Sequence, residues 1–89
     1  MESKFCYVYV LYSLSDKNLY IGCTENLKIR FEQHNRGAVI STKDRQPLNL
    51  VYYEACRDIR DARHREQYFK TTYGHRFLKK RLKSYFPGS

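Results

Sequence analysis

The chain alternates short apolar runs with segments in which apolar residues recur at helical spacing. Three runs are rich in β-branched and aromatic residues, which predicts strands over Phe5–Tyr12, Leu19–Cys23 and Leu48–Cys56. The first run is apolar or aromatic at every position, so we expect that strand to be covered on both faces of a sheet.

The turn between the first two strands sets which side chains share a face. If residues 15–18 form a four-residue loop, Tyr12 opposes Ile21 and Leu14 opposes Leu19. Strand alternation then puts four residues on one face, namely Tyr9, Leu11, Tyr20 and Gly22. Because glycine has no side chain, we expect a hollow at Gly22 where a backbone or ligand can approach closely.

A helix is predicted directly after the second strand. Thr24 is a plausible N-cap, so the helix should begin at about Glu25 and end near a C-cap at residues 35–37. Its apolar stripe contains Leu27, Phe31 and His34, with Arg30 beside it. Residues 38–47 then read as a polar, mobile connection.

The second predicted helix, from about Ile59 to Tyr73 with Gly74 as its C′ residue, has an acid on its apolar stripe. Glu66 stands where a leucine would be expected, and burying an unpaired carboxylate is costly. Glu66 must therefore pair with an arginine such as Arg30 or Arg63, lie at the lip of a cleft, or hold a cation. A last amphipathic segment covers residues 77–86.

These elements predict an α+β fold in which a three-stranded antiparallel or mixed sheet is flanked by helices in the order β-β-α-β-α-α. With 89 residues there is room for one domain, spanning 1–89. Three widely spaced cysteines without a C-x-x-C favour neither a disulfide framework nor a zinc ribbon. No apolar run approaches the roughly 20 residues of a membrane span, and the N-terminus lacks a secretory cleavage site, so we expect a cytoplasmic protein without a membrane partner.

The net charge of +8 is concentrated in the C-terminal third. Residues 1–56 carry seven Lys and Arg against six acids, whereas residues 57–89 carry ten against three. Such a surface favours a polyanionic partner, nucleic acid ahead of a membrane, although a basic face can also serve solubility alone. The candidate nucleic-acid-binding residues are Lys28, Arg36, Lys43, Arg45, Lys79, Lys80 and Lys83.

Two tyrosine motifs and three polar residues follow one another at set distances. Tyr9 of Tyr7-Val8-Tyr9 lies eleven residues before Tyr20 of Tyr20-Ile21-Gly22. Arg30 lies ten residues after Tyr20, His34 four residues later, and Glu66 inside the next long helix. From about Phe5 to Leu82 this pattern resembles the GIY-YIG nuclease superfamily, and within it the small members related to the nuclease module of the bacterial excision-repair endonuclease.

The resemblance implies a catalytic set of Tyr9, Tyr20, Arg30, His34 and Glu66. Glu66 would hold one Mg²⁺ or Mn²⁺ and Arg30 would bind the scissile phosphate. Tyr20 would take the proton from the attacking water, directly or through His34, with Tyr9 helping to position it. Tyr7 and Val8 depart from the family's glycine and isoleucine. Cys23 stands where some members carry a lysine, so Lys28 or Lys43 would supply that charge.

Two functions follow from this resemblance. The first is a metal-dependent endonuclease that hydrolyses phosphodiester bonds in DNA, single-stranded or branched DNA included, with a role in DNA repair. The alternative is a catalytically inactive nucleic-acid-binding module with the same fold. In either case DNA is favoured over RNA as the partner, no small-molecule cofactor is expected, and the chain is expected to be a monomer or a weak dimer.

Overall fold

The computed structural model describes residues 4–86, which form one antiparallel sheet with helices on both faces. The strands, with the first in the middle, are β1 (Cys6–Ser13), β2 (Leu19–Thr24) and β3 (Leu48–Cys56). The helices are α1 (Leu27–Asn35), α2 (Ile59–Phe69) and α3 (Thr72–Arg81). A single 3-10 turn lies over Ile40–Thr42. The predicted fold class and element order are confirmed.

The hairpin register differs from the predicted one by two residues. Tyr12 pairs with Leu19, and Ile21 pairs with Val10 rather than Tyr12. The loop is longer than expected because Ser13 closes it, its N–H donating to Asn18 O over 3.0 Å. A shift of two preserves strand alternation, so the predicted shared face is confirmed. Its cross-strand pairs are Tyr9 with Gly22 and Leu11 with Tyr20.

The two faces of the sheet bury separate hydrophobic clusters. On the first face, α1 covers a cluster built around Tyr9, Leu11 and Leu48. On the opposite face, α2 and α3 cover a cluster that comprises Val8, Val10, Ile21, Phe69 and Leu78. The central strand is therefore covered on both sides, as its unbroken apolar sequence predicts.

Both ends of α1 are capped, but the predicted N-cap is wrong. The cap is Asn26, whose side chain accepts from Ile29 N, while Thr24 ends β2 and its hydroxyl accepts from Asn26 N over 3.1 Å. At the C-terminus the prediction is confirmed, since Arg36 is the C-cap and Gly37 follows with φ +74°. The helix thus begins two residues later than expected.

The predicted helix from Ile59 to Tyr73 is in fact two helices. The first ends at Phe69 with Lys70 as its C-cap, and Thr71 caps the second, because its hydroxyl accepts from Gly74 N while it donates to Tyr68 O. Gly74 is not a C′ residue but lies in the first turn of α3, where a Cβ would clash with the backbone of Tyr68 and Phe69. Its lack of a side chain allows the start of α3 to pack against the end of α2.

The connection over residues 38–47 is anchored to the rest of the molecule, contrary to the prediction of a mobile loop. Val39 and Thr42 are buried. The Ser13 hydroxyl donates to Arg45 O over 2.7 Å, and the Arg45 guanidinium pairs with Asp16 in the β1–β2 turn. The sequence looks polar because only Val39 and Thr42 of this stretch are buried, while Arg45 is anchored through its backbone carbonyl and its guanidinium.

Candidate active site

The predicted hollow at Gly22 is occupied by the side chain of Tyr9. A Cβ on Gly22 would overlap the end of the Tyr9 ring and its hydroxyl. The two residues are cross-strand partners, so the ring crosses from the middle strand over β2 towards the edge of the sheet. Glycine at position 22 is therefore what allows the Tyr9 hydroxyl to reach that edge.

The Tyr9 hydroxyl belongs to a buried chain of three polar side chains. It lies 2.8 Å from Nε2 of His34, and Nδ1 of His34 lies 2.7 Å from the Thr42 hydroxyl. All three residues are at most 1 % exposed. Burial, reinforced by the nearby charge of Arg30, lowers the pKa of His34 from 6.5 to about 4. The imidazole is therefore neutral at pH 7, with one nitrogen that donates and one that accepts.

Tyr20 lies beside this chain but does not join it. Its ring centroid is 6.5 Å from that of Tyr9 and 5.1 Å from that of His34. Its hydroxyl accepts from Ser41 over 3.2 Å, and the contact is exposed to solvent. His34 is hydrogen-bonded to Tyr9 rather than Tyr20, so a proton from Tyr20 has no direct path through His34.

Arg30 lies on α1, and its positive charge acts on the same hydroxyl. Its guanidinium donates to Gln33 Oε1 over 3.1 Å and forms no ion pair with any acid between residues 4 and 86. Burial raises the pKa of Tyr9 to about 12; the nearby Arg30 acts against that rise, whereas the charges of Tyr20 and Glu66 add to it. Arg30, Tyr20 and Glu66 thus all act on one hydroxyl.

Glu66 comes from the helix on the opposite face of the sheet. Its side chain is 17 % exposed, and its Oε2 pairs with Nζ of Lys70 at 3.1 Å. The partner is therefore a lysine one helical turn away, neither of the arginines considered from the sequence. Burial raises the pKa of the Cys23 thiol on β2, and Glu66 adds to this rise while Arg63 opposes it. The charge of Glu66 therefore acts on a residue of β2, the strand that also carries Tyr20.

The one carboxylate at Glu66 could hold a hard cation. No group of three or more His, Cys, Asp and Glu side chains that could hold a metal occurs among residues 4–86. A single carboxylate, partly open to water, matches the way Mg²⁺ is held by one or two carboxylates, waters and substrate phosphates. Lys70 occupies one carboxylate oxygen, so an ion at Glu66 would compete with its ammonium group.

The seven predicted nucleic-acid-binding residues do not form one patch. Three are exposed on α1 or the turn that follows it, namely Lys28, Arg36 and Lys43. Three more are exposed at the far end of α3, across the sheet, namely Lys79, Lys80 and Lys83. The seventh, Arg45, is held by the Asp16 carboxylate and by two backbone carbonyls, so its guanidinium is committed within the fold.

Sequence reasoning missed three residues that touch the site. Lys70 was detectable, since a lysine four residues after a glutamate on a helix is a common ion-pair spacing. Ser41 and Thr42 gave no such signal, because they sit in a polar stretch whose contacts are with residues at least eight positions away.

Comparison with known proteins agrees with this architecture. Residues 5–84 match the family model of the GIY-YIG catalytic domain. A UPF0213 protein of Clostridium perfringens (strain 13 / Type A) is 43 % identical over 65 residues, covering 72 % of this chain and 69 % of the relative. Another, from Limosilactobacillus reuteri (strain DSM 20016), is 42 % identical over 73 residues, covering 79 % and 75 %. No solved structure gives a significant match.

The chain belongs to the GIY-YIG catalytic domain family. This is a nuclease-type domain, and membership implies that the chain binds nucleic acid. Among residues 4–86, no helix has the length and apolar character that a membrane crossing requires.

Proposed function

We propose that this chain is an endonuclease that uses one divalent metal ion to hydrolyse phosphodiester bonds in DNA. The observation that carries the proposal is a group of polar side chains around Tyr9. Its hydroxyl lies 2.8 Å from Nε2 of His34, its ring centroid lies 6.5 Å from that of Tyr20, and the charges of Arg30 and Glu66 affect its pKa. Those residues come from α1, β2 and α2, on both faces of the sheet.

Arg30 would bind the scissile phosphate. Its forked guanidinium matches phosphate oxygens, and it has no carboxylate partner among residues 4–86 that a substrate would have to displace. Its hydrogen bond to Gln33 Oε1, 3.1 Å long, would help to hold the guanidinium in place. The guanidinium would then stabilise the negative charge that develops on the phosphate during hydrolysis.

Tyr20 would take the proton from the attacking water. It is the solvent-facing tyrosine of the pair, since its hydroxyl makes an exposed hydrogen bond with Ser41 whereas Tyr9 is buried. The ordinary pKa of tyrosine is about 10, so this role requires nearby cations to stabilise the phenolate. Arg30 and an ion at Glu66 are the cations that the arrangement offers.

Glu66 would hold Mg²⁺ or Mn²⁺ through its carboxylate after releasing Lys70. When bound, such an ion polarises phosphate oxygens and favours a deprotonated water. Lys70, freed from the carboxylate, would remain close enough to add positive charge beside the substrate.

A second candidate function rests on the same ion pair. If Lys70 holds Glu66 too firmly for a metal to displace it, the chain is a nucleic-acid-binding module that does not cut. Its affinity would come from the exposed lysines and arginines, and would fall steeply with salt.

Cleavage of labelled single-stranded and duplex DNA with Mg²⁺ or Mn²⁺ separates the two functions. The endonuclease predicts metal-dependent cleavage that falls at least about 100-fold in Glu66→Gln and Arg30→Ala. Matched controls are Glu32→Gln and Arg76→Gln, exposed residues of the same charge on other surfaces, which should cleave like wild type. Binding without cleavage by wild type would favour the module instead.

A further inference from the structure

A groove lies beside α1 on the face of the sheet that this helix covers. Its volume is about 600 Å³, within the range typical of small-molecule sites. The sheet contributes Tyr7, Leu50 and Tyr53 to its lining, and α1 contributes Leu27, Lys28 and Phe31. The groove therefore combines three aromatic rings with one ammonium group.

Packing and internal hydrogen bonds do not account for the two tyrosines of the groove. The rings of Tyr7 and Tyr53 pack edge to face with their centroids 5.8 Å apart, yet Tyr53 is 52 % exposed. Neither hydroxyl has a hydrogen-bond partner within residues 4–86, unlike those of Tyr9, Tyr20 and Tyr52. Ring surface and hydroxyl groups are thus available to a ligand.

The charges at the groove favour a ligand that carries a phosphate. Glu25 also lines the groove, but Lys4 Nζ lies 3.7 Å from its carboxylate. Lys28 is exposed and forms no ion pair with any acid between residues 4 and 86. A lysine ammonium is a compact cation that can bind a phosphate. Aromatic rings beside such a lysine match a nucleotide, whose base can stack and whose phosphate is negative.

The groove adjoins the candidate active site. Tyr53 is the cross-strand partner of Tyr9 on β3, just as Gly22 is its partner on β2. The groove and the candidate site therefore share a face of the sheet and lie on opposite sides of β1. Since neighbouring strands are about 5 Å apart, the backbones of Tyr53 and Gly22 are separated by roughly 10 Å. A nucleic acid strand of a few nucleotides is long enough to reach both.

We propose that this groove binds the base of an unpaired nucleotide in the strand that is cleaved, with the base stacked on Tyr53 and a phosphate bound by Lys28. A base inside a duplex is stacked between its neighbours, so the groove favours single-stranded DNA or an unpaired base at a branch. An apolar segment of a partner protein would leave Lys28 without a counter-charge. The location next to the cleaved bond rests on the proposed function, whereas the preference for an unpaired base does not.

Binding measured without metal tests the groove separately from cleavage. The probe is a fluorescein-labelled oligothymidylate of about 12 nucleotides, whose anisotropy is followed with the 89-residue chain in EDTA. Tyr53→Ala should weaken binding about 5- to 100-fold, as loss of one stacked base does, whereas Tyr53→Phe, which keeps the ring, should stay within about two-fold of wild type. Tyr73→Ala, which removes a tyrosine that is 71 % exposed on α3, is the matched control and should bind like wild type.

Two further measurements separate base stacking from charge. A duplex of the same length should bind to Tyr53→Ala and to wild type with the same affinity. A single 2-aminopurine in the oligothymidylate, whose emission falls on stacking, should be quenched more by wild type than by Tyr53→Ala. Lys28→Met should reduce the slope of log affinity against log salt by about 0.7, the value for one phosphate contact on a single strand.

The outcomes decide the groove and the nuclease separately. Single-strand affinity that is unchanged in Tyr53→Ala, or that falls equally for the duplex, would overturn the proposal. If Tyr53→Ala does not fold, Tyr53→Leu, which keeps an apolar side chain without a ring, replaces it in every comparison. Binding that depends on Tyr53, with no cleavage by wild type, would reject the nuclease and support the groove. Cleavage by wild type with no role for Tyr53 in binding would support the nuclease and reject the groove.

Discussion

The two faces of the sheet contribute to the site in different ways. On the α1 face, Tyr9, His34 and Thr42 are buried and joined by hydrogen bonds of 2.7 and 2.8 Å. On the α2 face, Glu66 is partly open to water and pairs with an exposed lysine. The α1 half is therefore held together by buried hydrogen bonds, whereas the α2 half contains a partly exposed ion pair, which in the proposed function would exchange Lys70 for a metal ion.

The largest effect should be the loss of folding stability when His34, in the buried α1 half of the site, is protonated. The pKa of His34 is lowered to about 4, below its unfolded value of 6.5, so the folded protein binds fewer protons between these limits. Stability is fully present above pH 6.5 and falls by about 3 kcal/mol as the pH drops towards 4. Urea unfolding from pH 7 to 4 measures this loss. In His34→Gln that acid-dependent component should vanish, and an unchanged pH profile would contradict a buried neutral histidine.

A somewhat smaller effect is expected from filling the space above Gly22. Gly22→Ala puts a Cβ into the Tyr9 ring, which is 1 % exposed and cannot turn away freely. We expect a loss of about 1–3 kcal/mol in the free energy of unfolding. Cys23→Ala, at the next position on β2, is the control for general damage to the strand. A fully stable Gly22→Ala protein would mean that Tyr9 has another place to lie.

Tyr9→Phe tests the hydrogen bond without changing the packing. It removes the hydroxyl and leaves Nε2 of His34 without its partner, for an expected cost of about 1–2 kcal/mol. Tyr20→Phe is the matched variant on the exposed side and should change the unfolding free energy by less than about 0.5 kcal/mol. Equal costs in the two variants would remove the distinction between buried and exposed tyrosines.

The smallest effect is expected for metal affinity at Glu66, whose carboxylate pairs with Lys70. Lys70→Met removes the ammonium group that competes for Glu66, so Mn²⁺ should bind a few-fold more tightly in a calorimetric titration. Lys79→Met, an exposed lysine on α3, is the charge-matched control. Weaker metal binding in Lys70→Met would mean that the lysine supports the ion site rather than competing with it.

The contrast between the halves also explains what the sequence could predict. Strand identity and the shared face of Tyr9, Tyr20 and Gly22 follow from local alternation, which survives a two-residue error in register. The break before Thr71 was missed because the apolar stripe continues through it, and only the cap at Thr71 marks the new helix.

Contacts across the fold were less predictable. The hydrogen bond between His34 and Thr42 depends on the path of the 38–47 connection across the protein. No periodic pattern in the sequence indicates that path. The sequence also did not show that Glu66 and Arg30 lie on helices at opposite faces of the sheet. Helical spacing identifies the apolar face of a helix, but it does not indicate which side of the sheet that helix covers. The roles of the predicted catalytic residues remain predictions.

Paramagnetic broadening by Mn²⁺ tests most directly whether Glu66 shares a site with the α1 half. In ¹H–¹⁵N spectra of wild type, dilute Mn²⁺ should broaden the resonances of Tyr20, Cys23 and Arg30 first. Glu66→Gln should abolish this broadening, while Glu32→Gln should leave it unchanged. Broadening that survives Glu66→Gln, or that spares Tyr20 and Arg30, would contradict a common site at the β2 edge.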